Sequence, residues 1–239
     1  MSEAANWDML VVGGTVLTME PDSKPIKNGA VAVADGRIAA VGPAEELLEM
    51  SPSGEVLNAG NSLILPGLVN THSHLGMTLL RGIADDLPLM QWLEQHIWPA
   101  EKEHMTRESV HLGTELAAAE QLLAGVTTTT DMYFFGDEVS SVLAEAGMRG
   151  VVAESLIGFP TPRCATTEEM LDKQRELLEA YRDHPLITPS VAAHAPYSVS
   201  AADLVAEAEL AEEYEVPMQI HLSETSWEVE KLLEEKGLS

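Results

Sequence analysis

Histidines stand at the ends of three apolar runs in this chain: His72-Ser73-His74 after Leu68-Val69, His194 in Ala193-His194-Ala195-Pro196-Tyr197, and His221 in Gln219-Ile220-His221-Leu222-Ser223-Glu224. Residues two apart at a strand end share a face, about 6.6 Å from each other, so the imidazoles of His72 and His74 can converge on one metal ion. A glutamate, Glu224, follows His221 by three residues. Any one of these histidines is as easily a packing residue. Three strands ending in histidine are hard to explain by packing, because the carboxyl edge of an α/β sheet or barrel is where ligands and reactive groups gather. Together they favour a metal site. The remaining histidines, His96, His104, His111 and His184, lie in helical or loop segments without paired spacing and read as surface or packing residues. Cys164 has no second thiol in the chain, which supports neither a thiolate metal site nor a cysteine nucleophile.

The elements that must position these groups begin at Pro66. Strands are expected at Gly67 to Thr71, Val126 to Met132, Gly150 to Glu154, Ile187 to Ala193 and Pro217 to Leu222. Helical patterns fall between them at Arg107 to Ala124, Asp137 to Ala146, Thr167 to Arg182, Ala201 to Glu215 and Trp227 to Glu235. Several strands are continuous apolar runs, as strands buried on both faces are, and repeated β-α units point to a parallel sheet, open or closed into a barrel. The region before Pro66 reads differently. Short strands at Met9 to Val12 and Thr15 to Met19 flank Gly13-Gly14, and Ala30 to Val33 is joined to Arg37 to Val41 by the hairpin signal Asp35-Gly36. A short helix at Glu45 to Met50 and strands at Val56-Leu57 and Leu63 to Leu65 complete what reads as a small β-sandwich segment. Gly13-Gly14 opens no helix and is not a dinucleotide fingerprint.

Composition narrows the classes further. The 239 residues are 45% hydrophobic and 22% charged, an ordinary globular balance. No apolar run reaches the ~18 residues of a membrane helix, and Met1 to Asp8 lacks the basic start and apolar core of a secretory signal. One cysteine suits a reducing cytoplasm. Thirty-nine Asp and Glu against 13 Lys and Arg give a net charge of −26, which repels phosphate backbones and anionic lipid alike. We therefore expect no nucleic-acid and no membrane partner. The excess is spread along helices, the pattern of a halophilic cytoplasmic protein or of an acidic mesophilic one.

The run Leu65-Pro66-Gly67-Leu68-Val69-Asn70-Thr71-His72-Ser73-His74 resembles the first barrel strand of the amidohydrolase superfamily. Met77-Thr78-Leu79-Leu80-Arg81-Gly82, Gly125-Val126-Thr127-Thr128 through Asp131-Met132-Tyr133, the His194 motif and Ile220-His221-Leu222-Ser223-Glu224-Thr225 narrow the resemblance. It is to the branch holding 5-methylthioadenosine/S-adenosylhomocysteine deaminases and s-triazine hydrolases. The implied fold is α/β, a partial TIM-like (β/α)8 metal-dependent hydrolase barrel of about five β/α units over residues 66–239, preceded by a β-sandwich (composite) segment over residues 1–65.

The resemblance implies that His72, His74 and His221 bind one divalent metal, Zn2+, and that Glu224 is the proton shuttle. It implies substrate contacts from Trp92, Glu101 and His194, with Glu101 taking the ribose hydroxyls, and more loosely from Arg163. The implied activity is zinc-dependent hydrolytic deamination of adenine nucleosides at C6, by attack of a metal-activated water. The alternatives are an s-triazine or other aromatic aminohydrolase or chlorohydrolase, or an inactive half-barrel. A complete (β/α)8 barrel needs about 250 residues, so strands six to eight, with the aspartate the family carries on strand eight, are expected to be missing here. We accordingly expect a homo-oligomer or a missing C-terminal half to complete the molecule.

Overall fold

The computed structural model describes residues 6–50 and 53–237. The chain divides into two compact units, Met1–Gly67 and Leu68–Ser239.

The first unit contains β1 (Met9–Val16), β2 (Ile26–Ala34), β3 (Arg37–Pro43), helix α1 (Ala44–Glu49), β4 (Glu55–Asn58) and β5 (Leu63–Ile64). They form one five-stranded sheet of order β3-β2-β1-β4, with β5 also pairing β1. Burial alternates along β1, as period-two geometry requires of a half-buried strand. Leu10 and Val12 pack with Ala30, Ala32 and Leu47. Asp35 (φ 51°) and Gly36 (φ 68°) make the β2–β3 turn, the pair of left-handed residues that matches the twist of a hairpin. One expectation changes here. Gly13-Gly14 does not separate two strands: β1 runs through them with shifts of register against β2, and Gly13 takes φ 88°, as a glycine bulge does. Among the described residues this unit is a single sheet with α1 against it.

The second unit opens with β6 (Leu68–Asn70) and a 3-10 helix at Leu75–Leu80. Helix α2 (Leu89–Trp92) runs through a π-helical turn at Leu93–Ile97 into α3 (Trp98–His104). Pro99, in the first turn of α3, has no N–H to donate, and the turn before it is the widened one. There follow α4 (Arg107–Leu123), β7 (Val126–Tyr133), α5 (Gly136–Glu145), β8 (Arg149–Leu156), α6 (Thr167–Tyr181), β9 (Ile187–Ala193), α7 (Ala201–Tyr214), β10 (Met218–Ile220) and α8 (Ser226–Lys236). The strands form one curled parallel sheet of order β10-β9-β8-β7-β6, a half-barrel.

Local chemistry explains the helix starts. Thr106, Thr166, Ser200 and Thr225 each accept a hydrogen bond from the backbone N–H three residues on, satisfying a donor that the helix itself leaves unpaired. The middle strands carry the core. Val152, Leu143 and Ile187 are buried in one cluster, and Leu178, Val191 and Leu210 in another. The outer strands are barer: Leu68 and Val69 of β6 are 49% and 58% exposed, and among the described residues β6 and β10 each pair on one side only. Gly113 lets α4 lie directly on the 3-10 helix, since a Cβ there would fall 2.4 Å from the carbonyl oxygen of Gly76. Among the described residues no helix is long and apolar enough to cross a membrane.

Candidate metal-dependent active site

His72 and His74 leave β6 on a loop that is tied to β7. The hydroxyl of Ser73, between them, donates to the Thr130 carbonyl (2.6 Å), and Met132 N donates to the Ser73 carbonyl (3.2 Å). With Ser73 anchored, both flanking imidazoles turn the other way, their ring centroids 4.8 Å apart. His221 arrives at the end of β10, its backbone N–H on the His194 carbonyl at the end of β9 (3.0 Å).

The tautomers follow from the partners. His74 Nδ1 lies 2.7 Å from the Met132 carbonyl and His221 Nδ1 lies 2.8 Å from the His194 carbonyl. A carbonyl can only accept, so each Nδ1 carries a proton, which in a neutral ring leaves the lone pair on Nε2. Those two Nε2 atoms face one another at 3.2 Å, and His72 Nε2 is 3.3 Å from that of His221. Two lone pairs brought to that distance repel unless a cation lies between them. Nitrogens bound to a tetrahedral zinc at about 2.0–2.1 Å would be about 3.3 Å apart. The donor set therefore fits a divalent metal: His72, His74 and His221 could hold one. Burial, reinforced by His221, pushes the His74 pKa down to about 3, and His72 is lowered by the same two causes. Burial pushes His194 down to about 4. Neutral rings are the ligand form.

These histidines share a cavity of about 230 Å³ with Trp92, Trp98, Glu101, Tyr133, Tyr197 and Glu224. Trp92 is held by its indole N–H on the Ala84 carbonyl (3.0 Å). Glu101 is 6% exposed and accepts the Tyr133 hydroxyl on Oε1 at 2.7 Å. Burial raises its pKa to about 7, against the lowering effect of that hydrogen bond. His194 Nδ1 engages Ser198 Oγ at 2.7 Å, which leaves Nε2 for a ligand. Glu224 sits in the loop after β10, where Ser223 takes φ 56° and Tyr197 donates to Glu224 Oε2 at 3.4 Å. The loop is clamped from α8: buried Glu228 accepts Ser223 N (3.0 Å) and Glu224 N (2.9 Å).

The structure thus brings seven of the eight expected residues to one cavity: His72, His74, Trp92, Glu101, His194, His221 and Glu224. Arg163 is placed elsewhere. Its guanidinium bonds Asp137 (2.5 Å) and Glu154 (2.7 Å), lies over the Phe135 ring and lines no part of the cavity. The reason is Glu154, 1% exposed on β8, whose Oε2 also accepts Gly136 N and so caps α5. A carboxylate buried that deeply is stabilised by a cation beside it. Tyr133, Ser198 and Glu228 were not singled out from sequence. Of the three, Glu228 had a readable signal, since Thr225-Ser226-Trp227-Glu228 is a capping-box pattern.

A parallel β/α sheet with histidines gathered at its carboxyl edge is the arrangement of metal-dependent hydrolases. The chain belongs to the amidohydrolase family, whose profile matches residues 63–239. Residues 29–52 match an imidazolonepropionase-like composite domain of bacteria. Over 230 residues the chain is 46% identical to a 5-methylthioadenosine/S-adenosylhomocysteine deaminase of Syntrophobacter fumaroxidans, covering 96% of this chain and 52% of that protein. A protein of the same description from Thermodesulfovibrio yellowstonii is 45% identical, with coverage of 93% and 51%. The chain spans about half the length of the curated relatives it matches. Among solved structures, an adenosine deaminase from Xanthomonas campestris with bound zinc superposes with a TM-score of 0.94 at 39% identity, over 98% of this chain and 53% of that one. An atrazine chlorohydrolase from Arthrobacter aurescens superposes at 0.85 with 19% identity, over 97% and 56%, a likeness of fold alone.

Proposed function

We propose that this chain carries the metal centre and purine site of a zinc-dependent hydrolytic deaminase acting on 5-methylthioadenosine and S-adenosylhomocysteine. The observation that carries this reading is one cavity holding the three-histidine cluster, Glu224, Trp92 and Glu101 together. The names and similarity of the relatives support it. His72, His74 and His221 would hold the metal, which when bound supplies a Lewis acid that activates water at neutral pH.

The rest of the chemistry belongs to the chain. The net reaction replaces the C6 amino group by oxygen, with water consumed and ammonia released. Glu224, three residues beyond His221, carries one proton of the water to the adjacent ring nitrogen, where it stays in the 6-oxo product, and then carries the second, from the hydroxyl added at C6, to the departing amine. The clamp from Glu228 holds its backbone for that transfer. His194 offers Nε2 to the ring while Ser198 fixes its orientation. Trp92 packs against the base. Glu101 accepts the two ribose hydroxyls on its free carboxylate edge, with Tyr133 occupying the other.

An s-triazine has no ribose and offers Glu101 no pair of hydroxyls to accept. Incubation of the zinc-loaded chain with methylthioadenosine should release ammonia, and Glu101→Gln should damage nucleoside turnover far more than triazine turnover. Equal loss on both substrates overturns the ribose assignment. Absence of turnover by a chain shown to hold zinc favours the inactive half-barrel instead.

A further inference from the structure

The loop that carries His72 and His74 is gripped by four consecutive residues of β7. Ser73 Oγ lies 3.2 Å from Thr129 Oγ1 and donates to the Thr130 carbonyl. Asp131 Oδ1 accepts the backbone N–H of Leu75 at 2.5 Å, and the Met132 carbonyl accepts from His74 Nδ1. Thr129, Thr130 and Met132 contribute a hydroxyl or backbone carbonyls to this grip. Asp131 contributes a carboxyl group that is completely buried, and its second oxygen, Oδ2, has no hydrogen-bond partner among the described residues. Burying a carboxyl with one oxygen unpaired costs the fold free energy. The bond it does make falls on the residue that follows His74.

We propose that Asp131 is a positioning residue for the metal centre: through Leu75 N it fixes the backbone of His74, and with it the place of His74 Nε2 opposite His221 Nε2. His74 is held from three sides. Met132 N donates to the Ser73 carbonyl before it, Asp131 accepts from Leu75 after it, and its own ring bonds the Met132 carbonyl. The ring bond sets the tautomer. The two flanking bonds set the backbone, which at His74 (φ −129°, ψ 78°) precedes the 3-10 helix and has no helical bond of its own to hold it. The Asp131 carbonyl also accepts Gln219 Nε2 at 3.3 Å, two residues before His221. One residue of β7 therefore touches both strands whose histidines face each other. Metal–ligand distances tolerate only about 0.2 Å, so a loosened His74 backbone costs affinity even where the sheet is intact. Asp131 itself lies outside the ligand set, and its part is geometric. The proposal rests on the metal reading above.

Zinc affinity, measured by competition with a chromophoric chelator, tests this without turnover. Asp131→Ala should weaken zinc binding about ten- to a hundredfold, the range for groups that orient a metal ligand. Asp131→Asn keeps the shape and an oxygen for Leu75 N, and should stay within about threefold of the parent. Leu178→Ala opens the core between α6, β9 and α7; it should lower the unfolding midpoint and leave zinc affinity at the parent value. Amide exchange on the parent chain gives a reading that needs no variant to fold. Coupling is reciprocal, so zinc loading should slow exchange at Leu75 by at least about tenfold. An alanine variant that binds zinc as tightly as the parent, an asparagine variant as weak as the alanine one, a Leu178→Ala variant weakened as much, or a Leu75 amide indifferent to zinc overturns the positioning role while the metal reading stands. A parent chain that binds no zinc overturns the metal reading, and this proposal with it.

Discussion

Replacing Arg163 by methionine, which keeps the bulk of the side chain and removes its charge, separates a binding role from a structural one. Arg163 is 10% exposed at the side chain and bridges Asp137 and Glu154, the latter 1% exposed. Without the guanidinium, the Glu154 carboxyl keeps the backbone N–H of Gly136 and loses its counter-charge. Breaking a buried pair from one side costs about 3–5 kcal/mol while the orphaned carboxylate stays ionised. Burial already holds the Glu154 pKa up at about 7, with Arg163 opposing the rise; in the variant it climbs further. A carboxyl whose folded pKa lies above its unfolded value binds the extra proton in the folded state, so stability falls as pH rises from the unfolded pKa to the folded one. Arg163→Met should therefore be destabilised by about 3 kcal/mol or more near pH 8 and by clearly less near pH 5.5. The double variant Arg163→Met with Glu154→Gln should recover to within about 1 kcal/mol of the parent at both. Urea denaturation followed by circular dichroism reads each value. A single variant as stable as the parent at both pH values, or a double variant no better than the single, refutes the account of Arg163 as the counter-charge of a buried carboxylate.

Gly113→Ala drives a methyl into the Gly76 carbonyl across the contact of α4 with the 3-10 helix; we expect a loss of about 1–3 kcal/mol by urea denaturation, more than a glycine-to-alanine change in a helix otherwise gains. Glu207 is buried, accepts Gln174 Nε2 at 2.6 Å, and has its pKa raised by burial to about 7. Its contribution to stability is present at low pH and lost as pH climbs from about 4.5 to about 7. Glu207→Gln should remove up to about 3 kcal/mol of the parent's decline across that window, read from denaturation midpoints against pH. Glu228→Ala frees Ser223 N and Glu224 N, so amide exchange at these two positions should speed up at least about tenfold while β7 to β9 stay protected.

The β/α rhythm was legible because β7 is a β-branched run, because β8 and β9 are largely buried and carry the apolar stretches Val151–Ala153 and Val191–Ala193, and because α4, α6, α7 and α8 begin at Thr or Ser caps. The cluster of His72, His74, His194 and His221 was legible because strand ends are marked by the end of apolar residues, and histidines at three such ends together are hard to explain by packing. What escaped depends on partners far away in sequence. Arg163 reads as a free loop cation until Glu154, which looks like the polar end of a strand, is seen to be buried beside it. Tyr133 looks like one more core aromatic until its hydroxyl finds Glu101, 32 residues away. The π-helical turn before Pro99 leaves no periodic signal, since five residues are too few to set a period. Gly13-Gly14 reads as a break between two short strands, and only its pairing with β2 shows a bulge within one.

The central claim is that the facing lone pairs of His74 and His221, with His72, await one metal ion. Metal analysis of the purified chain after loading with zinc and exhaustive dialysis, repeated on His74→Ala and on His221→Ala, tests it most directly. The account requires close to one zinc per parent chain and almost none in either variant. A parent chain that keeps no zinc, or variants that keep as much as the parent, contradicts it.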